Sequence, residues 1–223
     1  MAITDFLERN AKLYPDEVSL VEINPANQPD HAMTWREYNL IESASAEKYR
    51  REMTWKAFDT KANRFANLLL TRGVRRGDKV ALLLMNGLEW LPLYFGILKT
   101  GALAVPLNYR YTAEEIQYCL ELAEANTLVF GPEFTGRVEQ IADRLRGVRT
   151  FFYVGRDLPS FADSYDTLAG YCSSTAPAVE LADADPAAIY FSSGTTGFPK
   201  AILHTHAALV SACLTEQKHH GQT

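Results

Sequence analysis

Val80-Ala-Leu-Leu-Leu-Met85 runs apolar, breaks at Asn86-Gly87, and gives way to Leu91, Tyr94, Phe95 and Leu98 at helical spacing before a second apolar run, Ala102-Leu-Ala-Val-Pro-Leu107. A short apolar run, a helical stripe and another short run make a βαβ unit. The stretch from Val80 to Leu98 is apolar enough to suggest a membrane span, but Asn86, Gly87, Glu89 and Pro92 interrupt it, and a strand, a turn and a helix account for it better. The pattern repeats outward. Further runs lie at Thr127 to Phe130 and Thr150 to Val154. Between them, Ile116, Cys119, Leu120 and Ala123 form one helical face, and Phe134, Val138, Ile141 and Leu145 form another. Thr112 and Glu115 are spaced as a capping box at the start of the first of these helices. Such crossovers are right-handed almost without exception. The expected fold is therefore α/β, a mostly parallel sheet flanked by helices.

Ahead of Lys79 the pattern predicts a helix near Thr4 to Tyr14, a strand around Val18 to Ile23, and a helix with Phe58, Ala62, Phe65, Ala66 and Leu69 on one face. Met33-Thr-Trp-Arg-Glu-Tyr recurs loosely as Met53-Thr-Trp-Lys-Ala-Phe. Two copies are too few for a repeat architecture, so the first reads as a local insertion. Lys48-Tyr-Arg-Arg, and Arg72, Arg75 and Arg76, read as solvated surface. The organisation expected is an N-terminal segment, 1–76, followed by an α/β lobe, 77–223.

The chain is 47% hydrophobic and 22% charged with a formal net charge of -5, a balance that gives no electrostatic reason to expect nucleic acid as a partner. Cys119, Cys172 and Cys213 are odd in number and widely spaced, against a disulfide framework or a zinc site. The opening residues lack the basic start and apolar core of a signal peptide, and a cytoplasmic location is expected.

The chemistry concentrates in Ile189-Tyr-Phe-Ser-Ser-Gly-Thr-Thr-Gly-Phe-Pro-Lys200. Ser192, Ser193, Thr195 and Thr196 offer hydroxyls, Gly194 and Gly197 let backbone N–H groups turn onto an anion, and Lys200 supplies positive charge. This is the composition of a polyphosphate cradle. Hydrogen bonds to charged groups contribute about 1.5–3 kcal/mol each, enough for three or four to hold a triphosphate. It is not a Walker A loop, because Pro199 precedes the lysine and Ala201 follows it. Ala201, Ile202 and Leu203 read as a strand. An ordinary Ser/Thr/Gly turn would share the composition but not this order and spacing.

Tyr190 to Lys200 resembles the phosphate-binding signature of the adenylate-forming superfamily, which includes acyl-CoA and aryl-CoA synthetases, peptide-synthetase adenylation domains and luciferases. Thr54-Trp-Lys-Ala-Phe through Asn63-Arg-Phe-Ala, Gly73-Val-Arg-Arg-Gly-Asp-Lys-Val-Ala, Gly101-Ala-Leu-Ala-Val-Pro-Leu-Asn108 and Ala113-Glu-Glu-Ile are similar to family segments in the family's order. The resemblance implies part of the large N-terminal domain of an AMP-forming carboxylate–CoA ligase, acting on fatty acids. Its alternatives are an aryl-acid ligase, a peptide-synthetase adenylation domain, or a nucleotide-binding module without chemistry. ATP, Mg2+ and CoA are the implied cofactor and co-substrates, with a carboxylic acid as the other substrate; oligomeric state stays open.

By match to the motif, Ser192, Ser193, Gly194, Thr195, Thr196, Gly197 and Lys200 would bind ATP, and Lys200, Thr195 and Thr196 would act on its β- and γ-phosphates. No metal ligand is assigned. Tyr190 and Phe191 are expected to pack the strand that aims the loop, and His204 and His206 to be structural. The resemblance further implies that motifs for adenine, ribose and magnesium, and a mobile C-terminal domain, belong beyond Thr223. The chain alone is therefore expected to be inactive, with Phe58, Phe65 and Leu69 lacking cover.

Overall fold

The computed structural model describes residues 1–23, 50–192 and 199–221. In chain order its helices and strands are α1 (Thr4–Leu13), β1 (Val18–Ile23), β2 (Arg50–Thr54), α2 (Trp55–Thr71), β3 (Lys79–Leu83), α3 (Trp90–Lys99), β4 (Leu103–Pro106), α4 (Ala113–Leu122), β5 (Thr127–Phe130), α5 (Thr135–Glu139), β6 (Thr150–Tyr153), β7 (Asp163–Ser164), α6 (Tyr165–Gly170), β8 (Pro186–Ser192), β9 (Lys200–Thr205) and α7 (His206–His220). The insertion expected around Met33 lies outside the described residues. Its second copy, Met53 to Phe58, carries the chain from β2 into α2, with the Thr54 hydroxyl accepting from the Ala57 N–H at 3.2 Å as the helix cap.

β3 shows why the fold is layered. Val80 and Leu82 point into one core with α2 and α3, while Ala81 and Leu83 point into a second core with α4 and α5. A strand buried on both faces must be apolar throughout rather than alternating, as its sequence is. The main sheet has the order β7-β6-β5-β3-β4-β8-β9, parallel except for the antiparallel β8–β9 pair. β1 and β2 form a separate antiparallel hairpin. Glu22 on β1 accepts from the Leu88 N–H at 2.8 Å, which pins that hairpin to the loop leaving β3. Gly87 leaves room for this contact, since a Cβ there would lie 3.1 Å from the Glu22 carboxylate.

Two expectations need correction. The apolar stripe from Phe134 to Leu145 is not one helix but a 3-10 turn (Pro132–Phe134), the short α5 and a second 3-10 turn (Ala142–Arg144). Phe134, Val138, Ile141 and Leu145 are nonetheless all buried. The stripe records burial, which several short turns satisfy as well as one helix.

Phe58, Phe65 and Leu69 do not lack cover either: all three are buried, and α2 lies against α3. There Gly96 allows close approach, because a Cβ at that position would meet the Ala62 carbonyl and the Phe65 ring, both at 2.9 Å. Arg72 and Arg76 are exposed, as expected, and also make surface pairs. Arg72 pairs with Asp163 at 2.9 Å. Arg76 donates to the Glu180 carbonyl at 2.9 Å and pairs with Asp185.

The irregular segment 171–185, which leads into β8, borrows its hydrogen bonds from α2 and the turn after it. Asn67 donates to the Ser173 and Thr175 carbonyls at 2.8 and 2.9 Å, and Asn63 to the Ser174 carbonyl at 3.0 Å. Arg64 donates to the Gly170 carbonyl at 2.7 Å. Backbone acceptors without a strand or helix partner are satisfied here by side chains from a distant element.

Candidate functional site

β8 runs parallel to β4, so its C-terminal residue, Ser192, lies at the same sheet edge as the ends of β3, β4, β5 and β6. In open α/β sheets ligands bind outside the carboxyl ends of the strands. Ser192 pairs in register with Lys200, the first residue of β9. The described residues that flank the predicted cradle, Ser192 and Lys200, are thus the paired ends of β8 and β9 at that edge. Ser192 is half-buried and Lys200 exposed, while Pro199 beside it is buried. An exposed ammonium beside a strand-end hydroxyl suits a solvated polyanion. Ser193, Gly194, Thr195, Thr196 and Gly197 lie outside the described residues.

Side chains alternate along β8. Ile189 and Phe191 pack on the core of α4 and α5, and Tyr190 on the core of α2 and α3. This is the strand packing expected of Tyr190 and Phe191. The Tyr190 ring also meets the His204 ring edge-on at 5.1 Å.

His206 is 1% exposed at the first turn of α7, behind the Thr205 cap. Thr205 pairs with Pro186 at the opposite end of the hairpin, so His206 stands about 20 Å of strand away from the phosphate edge. It belongs to the Pro186–Thr205 end of the β8–β9 pair rather than to the Ser192–Lys200 end. Burial lowers its pKa, with Asp185 and Asp5 opposing and Arg76 and the N-terminus adding to the shift.

Asp185 organises that base. It accepts from the Ala182 N–H at 2.7 Å, pairs with Arg76, and its carbonyl accepts from the His206 N–H at 3.1 Å.

Another loop at the carboxyl edge, following β4, is fixed by its own side chains. Asn108 accepts from the Arg110 N–H at 2.9 Å, an Asx turn. Arg137 donates to the Tyr109 and Tyr111 carbonyls at 2.9 and 2.6 Å. Burial, with Glu115 nearby, pushes the Cys119 thiol up to about 12. It is held as a core thiol and not as a nucleophile. Among the described residues no group of three or more His, Cys, Asp or Glu side chains is arranged to hold a metal ion, and no helix is long and apolar enough to cross a membrane.

A mostly parallel sheet flanked by helices, with the paired ends of β8 and β9 at its carboxyl edge, places the chain in the class of open α/β proteins, whose ligands bind at that edge. The AMP-binding enzyme family profile matches residues 7–223, and the chain belongs to that family. It is 34% identical over 161 residues to the long-chain-fatty-acid–CoA ligase FadD13 of Mycobacterium tuberculosis, a match covering 72% of this chain and 31% of the relative. It is 31% identical over 172 residues to a 3-hydroxybenzoate–CoA/4-hydroxybenzoate–CoA ligase of Thauera aromatica, covering 77% and 33%. Among solved structures, the anthranilate CoA ligase AuaEII in complex with anthranoyl-AMP superposes with a TM-score of 0.77 at 29% identity, covering 92% of this chain and 35% of that one. The chain spans about a third of the length of the curated relatives it matches.

Proposed function

We propose that the chain provides the ATP polyphosphate-binding part of an AMP-forming carboxylate–CoA ligase acting on fatty acids. The observation that carries the reading is the register of Ser192 against Lys200 at the carboxyl edge of a parallel sheet. In the proposed reaction a carboxylate oxygen attacks the α-phosphorus of ATP, the α–β phosphoanhydride bond breaks, and pyrophosphate leaves. The sulfur of CoA then attacks the acyl carbon, its thiol proton is lost, and the bond to AMP breaks to give the thioester.

Nucleotidyl transfer needs alignment and charge neutralisation more than a protein nucleophile. Ser192, Ser193, Gly194, Thr195, Thr196 and Gly197 would hold the β- and γ-phosphates, and Lys200 would offset the charge that grows on departing pyrophosphate. Magnesium, held on the triphosphate, would supply further neutralisation. The FadD13 match favours an aliphatic acid; the hydroxybenzoate and anthranilate ligases support an aryl acid as the second reading.

Residues 1–76 are proposed to meet a second lobe as well as this one. Leu13, Tyr14, Val18, Val21 and Ile23, all exposed, mark where that contact would fall. The cell compartment proposed is the cytoplasm.

The test of function is pyrophosphate release by the longest polypeptide carrying this chain, with ATP, magnesium, CoA and a panel of fatty and aryl acids. Release dependent on an aliphatic acid supports the reading, and release with aryl acids only replaces it by the second. No release with any acid would leave a binding module without chemistry.

A further inference from the structure

Strand β8 is tied unevenly along its length. Its parallel ladder with β4 registers one pair, Ala104 opposite Ala188, whereas its antiparallel ladder with β9 runs from Pro186 opposite Thr205 to Ser192 opposite Lys200. The physical cause is visible in β4, which ends at Pro106, a residue with no N–H to give to a neighbouring strand. From Tyr190 to Ser192 the strand therefore has no ladder partner on the β4 side, and β9 cannot anchor it to the body from the other side. β9 is the edge strand, and its first four residues, Lys200 to Leu203, are exposed.

Among the described residues, one polar side-chain contact crosses to the body at this level. The Tyr190 hydroxyl lies 2.7 Å from the Tyr94 hydroxyl on α3. Tyr94 is itself held: it is 5% exposed, its ring stacks on Trp90 at 5.3 Å, and it meets Phe95 edge-on at 6.0 Å. α3 in turn lies against α2 through the close approach at Gly96. Tyr190 is two residues before Ser192, so the two side chains leave the same face of β8.

We infer that Tyr94 is a positioning residue: through its hydroxyl contact with Tyr190 it fixes the angle at which the β8–β9 hairpin presents Ser192 and Lys200 to a polyphosphate. The inference rests on the proposed phosphate-binding role of that hairpin. A partly buried hydroxyl pair suits the task, because the hydrogen bond is directional where apolar packing alone would let the strand slide.

The test uses the 223-residue chain, its Tyr94→Phe and Tyr190→Phe variants, and the double variant. Phenylalanine keeps both rings and removes only the hydroxyls. Two measurements are made: amide hydrogen exchange along β8 and β9 without ligand, and binding of inorganic pyrophosphate.

In either single variant, exchange should quicken at Tyr190 to Ser192 and at Ala201 and Ile202, with Val80 to Leu83 unchanged. Pyrophosphate binding should weaken about fivefold, the factor that loss of one ordinary hydrogen bond gives. The double variant should be no worse than either single one, since both remove the same contact. Unchanged exchange in Tyr94→Phe overturns the positioning role whatever the binding result. Altered exchange with unchanged pyrophosphate affinity overturns it as well, leaving a purely structural contact. Failure of the unsubstituted chain to bind pyrophosphate counts against the phosphate-binding reading, and the positioning of the hairpin is then decided by exchange alone.

Discussion

Lys99, whose side chain is 2% exposed at the end of α3, sits between two carboxylates, 3.0 Å from Asp59 on α2 and 2.7 Å from Glu8 on α1. An ammonium this deep persists only while it is paired. Either carboxylate can serve while the other is removed, so Glu8→Gln should cost little. Glu8→Gln combined with Asp59→Asn should cost about 3–5 kcal/mol, the usual penalty for stranding a buried charge. Urea unfolding of the two variants measures the difference, and equal losses would show that Lys99 does not depend on the pair.

Gly96→Ala should destabilise the chain by about 1–3 kcal/mol, because the new methyl group would press on the Ala62 carbonyl and the Phe65 ring, whose Cβ and Cδ1 lie 3.1 and 2.9 Å from it. Alanine is the better helix former, so propensity alone gives the opposite sign. A rise in the unfolding midpoint would mean that α2 and α3 can move apart without loss.

His206 predicts a loss of stability in mild acid. Its pKa is lowered in the fold by burial, and its buried Nδ1 has no hydrogen-bond partner among the described residues. The unfolded chain therefore binds the proton first. The contribution is complete above the unfolded value of about 6.5 and drains away as pH falls from there towards the lower folded value, at no more than about 1.4 kcal/mol per pH unit. Asp185 and Asp5 face the ring and limit the shift, while Arg76 and the N-terminus enlarge it. Urea midpoints at neutral and mildly acidic pH should diverge for the natural chain and converge for His206→Gln.

Lys200→Ala should leave the fold intact, since the side chain is exposed at the start of an edge strand. In a longer polypeptide carrying the chain it should slow ATP-dependent pyrophosphate release by roughly 10–100-fold, the loss expected for one charge-assisted contact to the polyphosphate. Thr195→Val and Thr196→Val should act in the same direction. Retained release in the lysine variant would remove Lys200 from the reaction.

How much of this was legible in the sequence follows from which forces are local. Thr127–Phe130 appears as a strand at the predicted bounds, and Thr112 and Glu115 form the predicted capping box, with bonds of 3.2 and 2.8 Å. Both depend on neighbours a few residues away. The third helix was misread because periodicity reports which side chains face the core, not whether the backbone between them is continuous.

The straps from Asn63, Asn67, Arg64 and Arg76 to residues 170–185 had no local signal: each joins residues more than a hundred positions apart. At the site, composition and order picked out Ser192 and Lys200 as phosphate-binding residues; that they stand opposite each other on β8 and β9 was not foreseen and comes from the ladder. Tyr94 was read as one member of an apolar stripe. Its hydroxyl acquires a role only when Tyr190 arrives opposite it.

The single registered pair between β4 and β8 also bears on how the chain assembles. Ala104 meets Ala188 from more than eighty positions away in the chain, whereas Ser192 meets Lys200 from only eight. Hairpins close in about 1–10 μs, while contacts this distant in sequence carry the larger closure entropy and form late. The β8–β9 hairpin would then exist as an autonomous folding unit before it finds its place beside β4. Docking onto the finished α3 surface, with Tyr94 already in place, would be the step that brings the paired ends of β8 and β9 to the carboxyl edge of the sheet.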